Sequence, residues 1–333
     1  MNTTFNENDI RPDELVKKQE QYCRHDIEFL KSRIDDFVEV ACPACGKVNQ
    51  DICFKKHDIS YIECKNCGML YISPRPTVEI LDEYYSNSPN YKFFNDYIFP
   101  ASKEVRREKI FIPRVKKILE YCNKYGVKKD KLIEIGAGFG IFCEEMIKTK
   151  EFQEICGIEA TEDLAQTCRN NGIKIYEGLI ENIDIKEKFN VAVAFEVIEH
   201  IFSPKDFIKK IANLLEENGL LMLTLPNWEG FDISLLREYS NSIDPEHLNY
   251  FTKNSIKILL EECDFEILEI ITPGELDVDI VSKAVQKNNL NIPNILHKIC
   301  IDEKDTTGKK FQNFLKENCL SSHMMTIARR KSV

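Results

Sequence analysis

Apolar residues recur through the N-terminal part of the chain with the period of an amphipathic helix. Between residues 11 and 38 they stand among charged residues at spacings close to that period: Leu15, Tyr22, Ile27, Leu30 and Ile34. The pattern predicts a helix over 11–38, and a similar pattern predicts a second helix that ends near Tyr125. A Cys-rich stretch from about 40 to 74 and an aromatic-rich stretch over 84–99 lie between them.

From Lys131 onward the pattern changes to short apolar runs that alternate with amphipathic stretches. Six of these runs are predicted strands: 132–135, 155–158, 174–176, 191–195, 220–225 and 265–271. Thr161 is placed to cap one of the helices between them, and the Ser203-Pro204 pair is placed to begin another. Such alternation is typical of a parallel, doubly wound α/β sheet. After a polar, mostly helical stretch to about Leu320, residues 321–330 are predicted to form one further strand.

The composition excludes several classes of protein. The chain has 333 residues, 43% apolar and 30% charged, so we expect a globular fold with a sizeable core rather than disorder. Membrane association is not expected, since no apolar run is long enough for a span and residues 1–20 lack the apolar segment of a secretory signal. The net charge of −10 argues against nucleic acid as a partner. The 13 cysteines, an odd number spread mostly singly through apolar patterns, indicate a reducing compartment, and we expect a cytoplasmic protein.

Four cysteines differ from the others because they form two tight pairs. Cys42-Pro43-Ala44-Cys45-Gly46 is followed, after a spacer, by Cys64-Lys65-Asn66-Cys67-Gly68. Each pair can turn both sulfurs to one side of a tight turn, and two such turns supply the four thiolates of a closed, structural zinc site. We therefore predict Zn²⁺ bound by Cys42, Cys45, Cys64 and Cys67, with Cys53 and His57 outside the ligand set. The alternative is four buried thiols.

A second candidate site is a glycine-rich turn directly after the first strand of the predicted sheet. Residues 132–140 read Leu-Ile-Glu-Ile-Gly-Ala-Gly-Phe-Gly and run into a predicted helix, so that a ligand can approach bare backbone at the helix N-terminus. The spacing is GxGxG rather than the GxGxxG of dinucleotide-binding proteins, because position 141 is Ile. Glu159 follows the next strand, where a carboxylate can accept hydrogen bonds from both hydroxyls of a ribose. The alternative for Glu159 is an ordinary surface carboxylate.

Residues 131–272 resemble the class I S-adenosylmethionine-dependent methyltransferases. The resemblance is carried by the glycine turn and Glu159, by Phe195-Glu196-Val197-Ile198-Glu199-His200 after the fourth strand, and by Pro245-Glu246-His247-Leu248 followed by Phe251-Thr252. It implies a seven-stranded Rossmann-like sheet of strand order 3-2-1-4-5-7-6, in which residues 321–330 form the seventh strand. Residues 275–320 are then a helical insertion between strands six and seven.

The resemblance also implies which residues hold the cofactor, S-adenosyl-L-methionine: Glu134, Gly136, Gly138, Gly140, Glu159, Leu179, Ile180 and Phe195. By this resemblance, Glu134 and the three glycines of this chain would surround the methionine moiety of the cofactor, and Glu159 would bind its ribose. Leu179 and Ile180, after the third strand, would lie against the adenine, with Phe195 beside the sulfonium.

Two histidines are candidates for the catalytic base. Methyl transfer to a hydroxyl requires a group that takes up the acceptor's proton, and a neutral histidine suits this role at pH 7. His247 follows the acidic turn 244–246 in the loop after the fifth strand, where acceptors bind in this class of fold. We prefer His247 and keep His200 as the second candidate, for which a structural role at the start of the following helix is the alternative.

The order of a zinc ribbon followed by a methyltransferase resembles enzymes that methylate sugars in glycan and natural-product pathways. We expect an N-terminal helical segment over 1–38, a zinc ribbon over 39–76, an aromatic-rich lid and helix over 77–130, and the methyltransferase domain over 131–333. The expected activity is methyl transfer to a small-molecule acceptor, a sugar or sugar nucleotide. The alternatives are an RNA base methyltransferase whose ribbon binds RNA, and a non-catalytic module that only binds the cofactor. The acceptor's identity, the atom methylated and the oligomeric state stay open.

Overall fold

The computed structural model describes residues 5–48 and 51–332. Its α-helices, numbered in chain order, are α1 Glu7–Ile10, α2 Asp13–Ser32, α3 Val78–Asn87, α4 Pro89–Phe93, α5 Phe99–Arg106, α6 Ile112–Lys124, α7 Ile141–Thr149, α8 Glu162–Asn170, α9 Pro204–Leu214, α10 Phe231–Leu236, α11 Lys253–Glu261, α12 Asp277–Asn288, α13 Asn294–His297 and α14 Lys309–Glu317. Its strands are β1 Ile52–Lys56, β2 Ile59–Glu63, β3 Leu70–Ile72, β4 Lys131–Ile135, β5 Glu154–Glu159, β6 Lys174–Glu177, β7 Phe189–Phe195, β8 Leu215–Pro226, β9 Asn249–Tyr250, β10 Phe265–Ile271 and β11 His323–Arg330.

Seven strands form one large sheet in the order β10-β11-β8-β7-β4-β5-β6. Strand β4 pairs in parallel with β5 and with β7, and the next pairs on either side, β5–β6 and β7–β8, are parallel as well. The chain therefore enters the sheet at its centre and adds later strands on either side, as in doubly wound folds. The order confirms the predicted arrangement 3-2-1-4-5-7-6, with β11 between β8 and β10.

The core of the large sheet explains why its strands could be recognised in the sequence. Residues 191–194 of β7 are almost fully buried, and so are Leu132 and Ile133 of β4. Central parallel strands are covered on both faces, so they show continuous apolar runs rather than alternation. The loops at their carboxyl ends carry the glycine turn, Glu159 and the segment that begins at Phe195.

A second sheet has four strands in the order β1-β2-β3-β9, which we call the ribbon sheet. Strands β1 to β3 come from the Cys-rich stretch and pair antiparallel with their neighbours in sequence. The fourth strand, β9, comes from far along the chain and pairs with β3 through Leu70↔Tyr250 and Tyr71↔Asn249. The hydrophobic pattern did not predict β9, because two residues are too few to show a strand period.

The described residues divide into two compact units. The core unit consists of the described parts of 106–225, 256–270 and 325–333, and the ribbon unit of the described parts of 1–105, 226–255 and 271–324. In the ribbon unit, the aromatic stretch packs against α2: the rings of Tyr22 and Phe93 stack with centroids 4.9 Å apart. Among the described residues, no helix is both long and apolar enough to cross a membrane.

Two local expectations need correction. The predicted helix over 11–38 ends earlier, since α2 stops at Ser32 and a single 3₁₀ turn, Ile34–Asp36, follows it. The backbone then becomes extended because Val38 forms a β-bridge with Arg75. Thr161 stands at the N-cap of α8, but its side chain makes no capping bond. Its backbone N–H instead donates to the carboxylate of Glu159 at 2.9 Å.

Candidate functional site

The glycine turn follows β4 and leads into α7 in the core unit. Gly138 has a φ of 54°, and a Cβ built on it would meet nothing within 4 Å. At this position the turn presents bare backbone to open space, which fits the close approach of a ligand. Gly136 and Gly140 differ, because a Cβ would come within 2.7 Å of Val197 and 2.6 Å of Ile173, respectively. Those two glycines are required by the packing of the turn itself.

Glu159 is bound to the glycine turn through its side chain. One carboxylate oxygen accepts from the N–H of Gly138 at 2.7 Å, and the other accepts from the N–H of Thr161 at 2.9 Å. The side chain is buried, and this burial raises the pKa of the carboxyl group above its usual value. Each oxygen keeps acceptor capacity beyond its backbone bond. Glu159 can thus shape the turn and bind hydroxyl groups at the same time.

The segment after β6 lies beside Glu159. The N–H of Gly178 donates to the backbone oxygen of Glu159 at 2.9 Å, which ties the ends of β5 and β6 together. Of the two residues predicted to contact adenine, Ile180 is buried and Leu179 is 40% exposed. Leu179 therefore presents apolar surface directly after Gly178, the residue that is bonded to Glu159.

Glu134 lies at the end of β4 and is only 2% exposed. Its carboxylate accepts a hydrogen bond from the thiol of Cys143, on α7, at 3.1 Å. Burial raises the pKa of Glu134 to about 8. A buried carboxyl group of this kind can become ionised when a cationic ligand group arrives, because an opposite charge favours the charged form.

Phe195, the last residue of β7, and Glu196, which follows it, are held by side chains from two other elements. The guanidinium of Arg114, on α6, lies 4.6 Å from the ring centroid of Phe195 and donates to both oxygens of Glu196 at 2.8–2.9 Å. The hydroxyl of Thr224, on β8, also donates to Glu196, at 2.6 Å. Glu196 has a φ of 52°, which is unusual for a residue with a side chain. These contacts stabilise the strained start of the segment that carries His200.

His200 closes the 3₁₀ turn Ile198–His200, and its N–H donates to the backbone oxygen of Val197 at 3.0 Å. Its side chain is half-buried, and the neighbouring Glu199 is 1% exposed. The turn therefore fixes the backbone of His200 at the start of the connection to α9.

The four paired cysteines meet in the ribbon unit. The Sγ atoms of Cys42 and Cys67 are 3.5 Å apart, as are those of Cys45 and Cys64, and all four lie within 4.8 Å of one another. Thiolates around a tetrahedral zinc ion, at Zn–S of about 2.3 Å, are separated by about 3.8 Å. The donor set and its geometry fit zinc. Cys53 and His57 stand outside this cluster, and the Cys53 sulfur accepts from Arg237 at 2.8 Å.

His247 lies in a hydrogen-bonded loop directly before β9. Its Nδ1 is 2.9 Å from the backbone oxygen of Ser242 and 3.3 Å from a carboxylate oxygen of Asp244. The other oxygen of Asp244 accepts from the N–H groups of Glu246 and His247 at 3.0 and 3.1 Å. Tyr250, on β9, closes the loop: its hydroxyl accepts from the N–H of Asp244 and donates to the oxygen of the same residue.

Acidic and phenolic groups lie around the loop that carries His247 (residues 240–248, the His247 loop) within the ribbon unit. Potential ligand atoms of Asp244, Glu246 and His247 lie within 4.8 Å of one another. The hydroxyl of Tyr84, on α3, donates to Glu246 at 3.3 Å. Burial, and then the charge of Asp244, raise the pKa of Glu246 to about 7. Asp26, on α2, is also buried and accepts from Ser88.

Several residues with evident roles were not recognised in the sequence. Arg114 and Thr224 carry no motif, and only the fold brings them to Glu196. Tyr84 is one of many aromatic residues in its stretch, and nothing in the pattern distinguished it. For Glu246 a signal did exist, since it belongs to the acidic turn before His247.

A parallel sheet with a glycine turn after its first strand and a carboxylate after its second defines a Rossmann-like, nucleotide-binding class of protein. A family model described as a methyltransferase domain matches residues 105–270. The ubiquinone biosynthesis O-methyltransferase of Bradyrhizobium diazoefficiens is 21% identical over 153 residues, which cover 40% of this chain and 60% of that protein. The protein of the same name from Rhodopseudomonas palustris strain TIE-1 is 26% identical over 114 residues, 32% of this chain and 44% of its own length.

Among solved structures, the complex between the Haloferax volcanii Trm112 methyltransferase activator and a methyltransferase contains a chain with a TM-score of 0.50 and 11% identity. That match covers 72% of this chain and 98% of the other. Residues 105–270 belong to the class I S-adenosylmethionine-dependent methyltransferases. The chain spans 60% or less of the length of these two curated relatives.

Proposed function

We propose that this chain is an enzyme that transfers a methyl group from S-adenosylmethionine to a hydroxyl group of a small molecule, and that the acceptor is a sugar or sugar nucleotide. The observation that carries the activity is the combination of open backbone at Gly138 with the carboxylate of Glu159 bound to the same turn. The names of the relatives, O-methyltransferases, support oxygen as the atom that is methylated.

The residues of the core unit would bind the cofactor, which supplies an electrophilic methyl group on a sulfonium. Glu159 would accept hydrogen bonds from the ribose hydroxyls, and Leu179 with Ile180 would cover the adenine. Glu134 and the turn around Gly138 would receive the methionine moiety, with Phe195 near the reacting end. The acceptor oxygen would form its bond to the methyl carbon as the carbon–sulfur bond breaks. Holding the two in line accounts for much of the acceleration in such reactions.

His247 is our candidate for the group that takes the acceptor's proton. A backbone oxygen can only accept, so the contact with Ser242 requires that Nδ1 carry the proton. Nε2 is then the nitrogen that can take up a proton, as a general base requires. Asp244, 3.3 Å from Nδ1, would stabilise the imidazolium that results. His200 is the second candidate.

The surroundings of His247 support a neutral, hydroxyl-rich acceptor. Glu246 and Asp244 offer oxygens that accept from hydroxyl groups and repel anions, and Tyr84 adds a phenol at Glu246. Carboxylates beside aromatic side chains suit the alternating polar and apolar faces of a sugar ring. These side chains would therefore face the sugar moiety of the acceptor, since the same charges would repel a phosphate placed beside them.

We also propose that the four-cysteine cluster holds one structural zinc ion. The sulfur separations support tetrahedral coordination, and the closed ligand set leaves no position for a substrate. Thiolate zinc sites and the absence of disulfides among the described residues support a cytoplasmic location. Metal analysis of freshly purified, reduced protein should find one zinc ion per chain, and Cys45→Ser should lower this and loosen the ribbon. Metal-free protein with a folded ribbon would refute the proposal.

The activity is tested by incubating the protein with methyl-labelled S-adenosylmethionine and three acceptor sets: nucleotide sugars, free sugars and RNA. We expect label in the sugar sets and none in RNA. Label in RNA alone would contradict the sugar proposal in favour of a base methyltransferase. Tight cofactor binding by calorimetry without transfer to any acceptor set would favour a non-catalytic binding module.

A further inference from the structure

The His247 loop, residues 240–248, is attached to the ribbon sheet at its C-terminal end. Strand β9 begins directly after the loop and pairs with β3. The N–H of Ile72, on β3, donates to the backbone oxygen of Leu248 at 3.1 Å. Tyr250, on β9, contacts the ring of Tyr61, on β2, and holds Asp244 through its hydroxyl. Any displacement of β9 therefore changes the position of Asp244 and of the imidazole beside it.

Arg75 adds a second attachment at the same end of the loop. Its side chain is fully buried, and it donates to the backbone oxygens of Ile72 and Leu248 and to the side-chain oxygen of Asn249, at 3.0–3.3 Å. These three bonds join the end of β3 to the C-terminal end of the loop and to β9. Because the side chain is fully buried, removing it would leave the three oxygens without these donors in a place that water does not reach.

Lys56, on β1, attaches the other end of the loop. Its ammonium group donates to the backbone oxygens of Ser240 and Ile243 at 2.9 and 2.6 Å. The loop is thus held by one cation from the ribbon before His247 and by another after it. Lys56 lies 184 and 187 positions before the two oxygens to which it donates, and Arg75 lies 173 positions before Leu248.

The metal-ligand turn itself makes a further contact with this region. The backbone oxygen of Cys67 accepts from the Thr252 hydroxyl at 3.0 Å and from the Asn254 amide at 3.3 Å. Thr252 lies two residues after β9 and is buried. A ribbon that is correctly folded at its cysteines is therefore bonded directly to the segment that follows β9.

We propose that the ribbon sheet positions His247 for proton transfer, with Arg75 and Lys56 as the positioning residues. This inference rests on the proposed role of His247 as the base. The ribbon then contributes to turnover without contacting the reacting atoms, by fixing the loop on which the base is carried. Removing either cation would leave the loop present but mobile, so that the base is aligned for only part of the time.

The test compares full-length Arg75→Met and Lys56→Met with two controls from the same unit. Arg33→Met removes a surface arginine that pairs with Asp36 and Glu83, and Lys55→Met removes the exposed lysine next to Lys56 on β1. Amide hydrogen exchange is followed by mass spectrometry over residues 240–250, together with kcat, KM and the cofactor Kd. Arg75→Lys serves as the conservative variant.

We expect exchange over 240–250 to accelerate at least tenfold in Arg75→Met and Lys56→Met, and kcat to fall at least tenfold. The Kd for S-adenosylmethionine should stay within twofold, the acid limb of the pH profile of kcat should move, and Arg75→Lys should recover part of the loss. The two controls should behave as the parent protein. If circular dichroism shows that Arg75→Met is unfolded, the inference is tested with Lys56→Met alone, by the same measurements.

Unchanged exchange and unchanged kcat in a folded Arg75→Met or Lys56→Met protein would overturn the inference. A failure of the proposed function is recognised separately, through His247→Ala. If that variant keeps full turnover while exchange over 240–250 accelerates in Arg75→Met, the ribbon positions the loop but His247 is not the base.

Discussion

The cofactor region of the core unit and the His247 loop of the ribbon unit hold their polar groups by different means. Glu159 is held by N–H groups two and 21 positions away, all in turns that follow neighbouring strands. The His247 loop is held in addition by Arg75 and Lys56, more than 170 positions away. Local attachment makes the cofactor region depend on its own turns, whereas the loop depends on strands from a distant part of the chain.

This difference separates cofactor binding from turnover. Damage to the ribbon should reach the loop that carries the proposed base and spare the turn that carries Glu159. Damage to Glu159 should weaken cofactor binding and leave the ribbon folded. The following variants test whether the two regions are independent in this sense, from the largest expected effect to the smallest.

His247→Ala should reduce turnover by about 10²–10⁴-fold, because general base catalysis contributes about that much. The Kd for S-adenosylmethionine should not change, since the proposed role of His247 is to take the acceptor's proton and His247 is not among the residues proposed to bind the cofactor. Steady-state kinetics and calorimetry measure the two quantities. His200→Ala is the parallel variant, and a larger loss of kcat in it than in His247→Ala would reverse our preference between the two histidines.

Glu159→Ala should weaken cofactor binding tens-fold or more. It removes two proposed charge-assisted hydrogen bonds to the ribose, each worth about 1.5–3 kcal/mol, and it also releases the N–H of Gly138. Calorimetric titration with S-adenosylmethionine gives the change, and Glu162→Ala, three residues on and exposed, is the control. Parent-like affinity in Glu159→Ala would show that the ribose site lies elsewhere.

Alanine at Gly136 and at Gly138 should have different effects. At Gly136 the new methyl group would lie 2.7 Å from Val197, so stability should fall by about 1–3 kcal/mol from overpacking. Both glycines have a positive φ and so incur a similar backbone strain, but at Gly138 the methyl group would enter open space, so stability should fall less there than at Gly136 while cofactor affinity falls. Thermal unfolding and calorimetry of both variants measure this. Equal losses of stability at the two positions would contradict the assignment of Gly138 to the ligand.

The stability of the ligand-free protein should depend on pH through Glu134. Burial raises its pKa from 4.5 to about 8, so the folded protein keeps a proton that the unfolded chain releases. The contribution of Glu134 to the free energy of unfolding is greatest below pH 4.5 and is lost as the pH rises toward 8. Between pH 6 and 7 the free energy of unfolding should fall by up to about 1.4 kcal/mol more in the parent protein than in Glu134→Gln. Denaturant unfolding at the two pH values measures the difference, and identical slopes would refute the burial argument.

The large sheet was predictable because its signals are local. Fully buried strands between amphipathic helices leave continuous apolar runs, and the glycine turn and Glu159 are each placed by the strand that precedes them. The paired cysteines were recognisable for the same reason, since CxxC spacing lies within one turn of chain. The order of the strands followed from the resemblance to a known family, including the place of β11.

The remaining contacts could not be predicted, because they join segments that are distant in sequence. Strand β9 has two residues, and its partner β3 lies about 180 positions earlier. Arg75 carries no motif in the sequence that signals its hydrogen bond to Leu248. The capping role expected for Thr161 was wrong, because its hydroxyl interacts with the side chain of Glu159 rather than with an N–H of α8. In each case the competing partner is visible only in the folded chain.

The pairing of β3 with β9 also bears on how the ribbon could be exchanged between proteins. If the segment over 39–76 were excised, β3 would become a bare edge whose N–H and C=O groups could pair with any other strand. Three strands alone would also lose the hydrogen bonds that Leu248 and Asn249 provide to Arg75, leaving that buried cation without them. The segment over 39–76 therefore cannot be transferred to another protein by itself. A chimera that exchanges this segment should exchange the counterpart of residues 240–254 together with it.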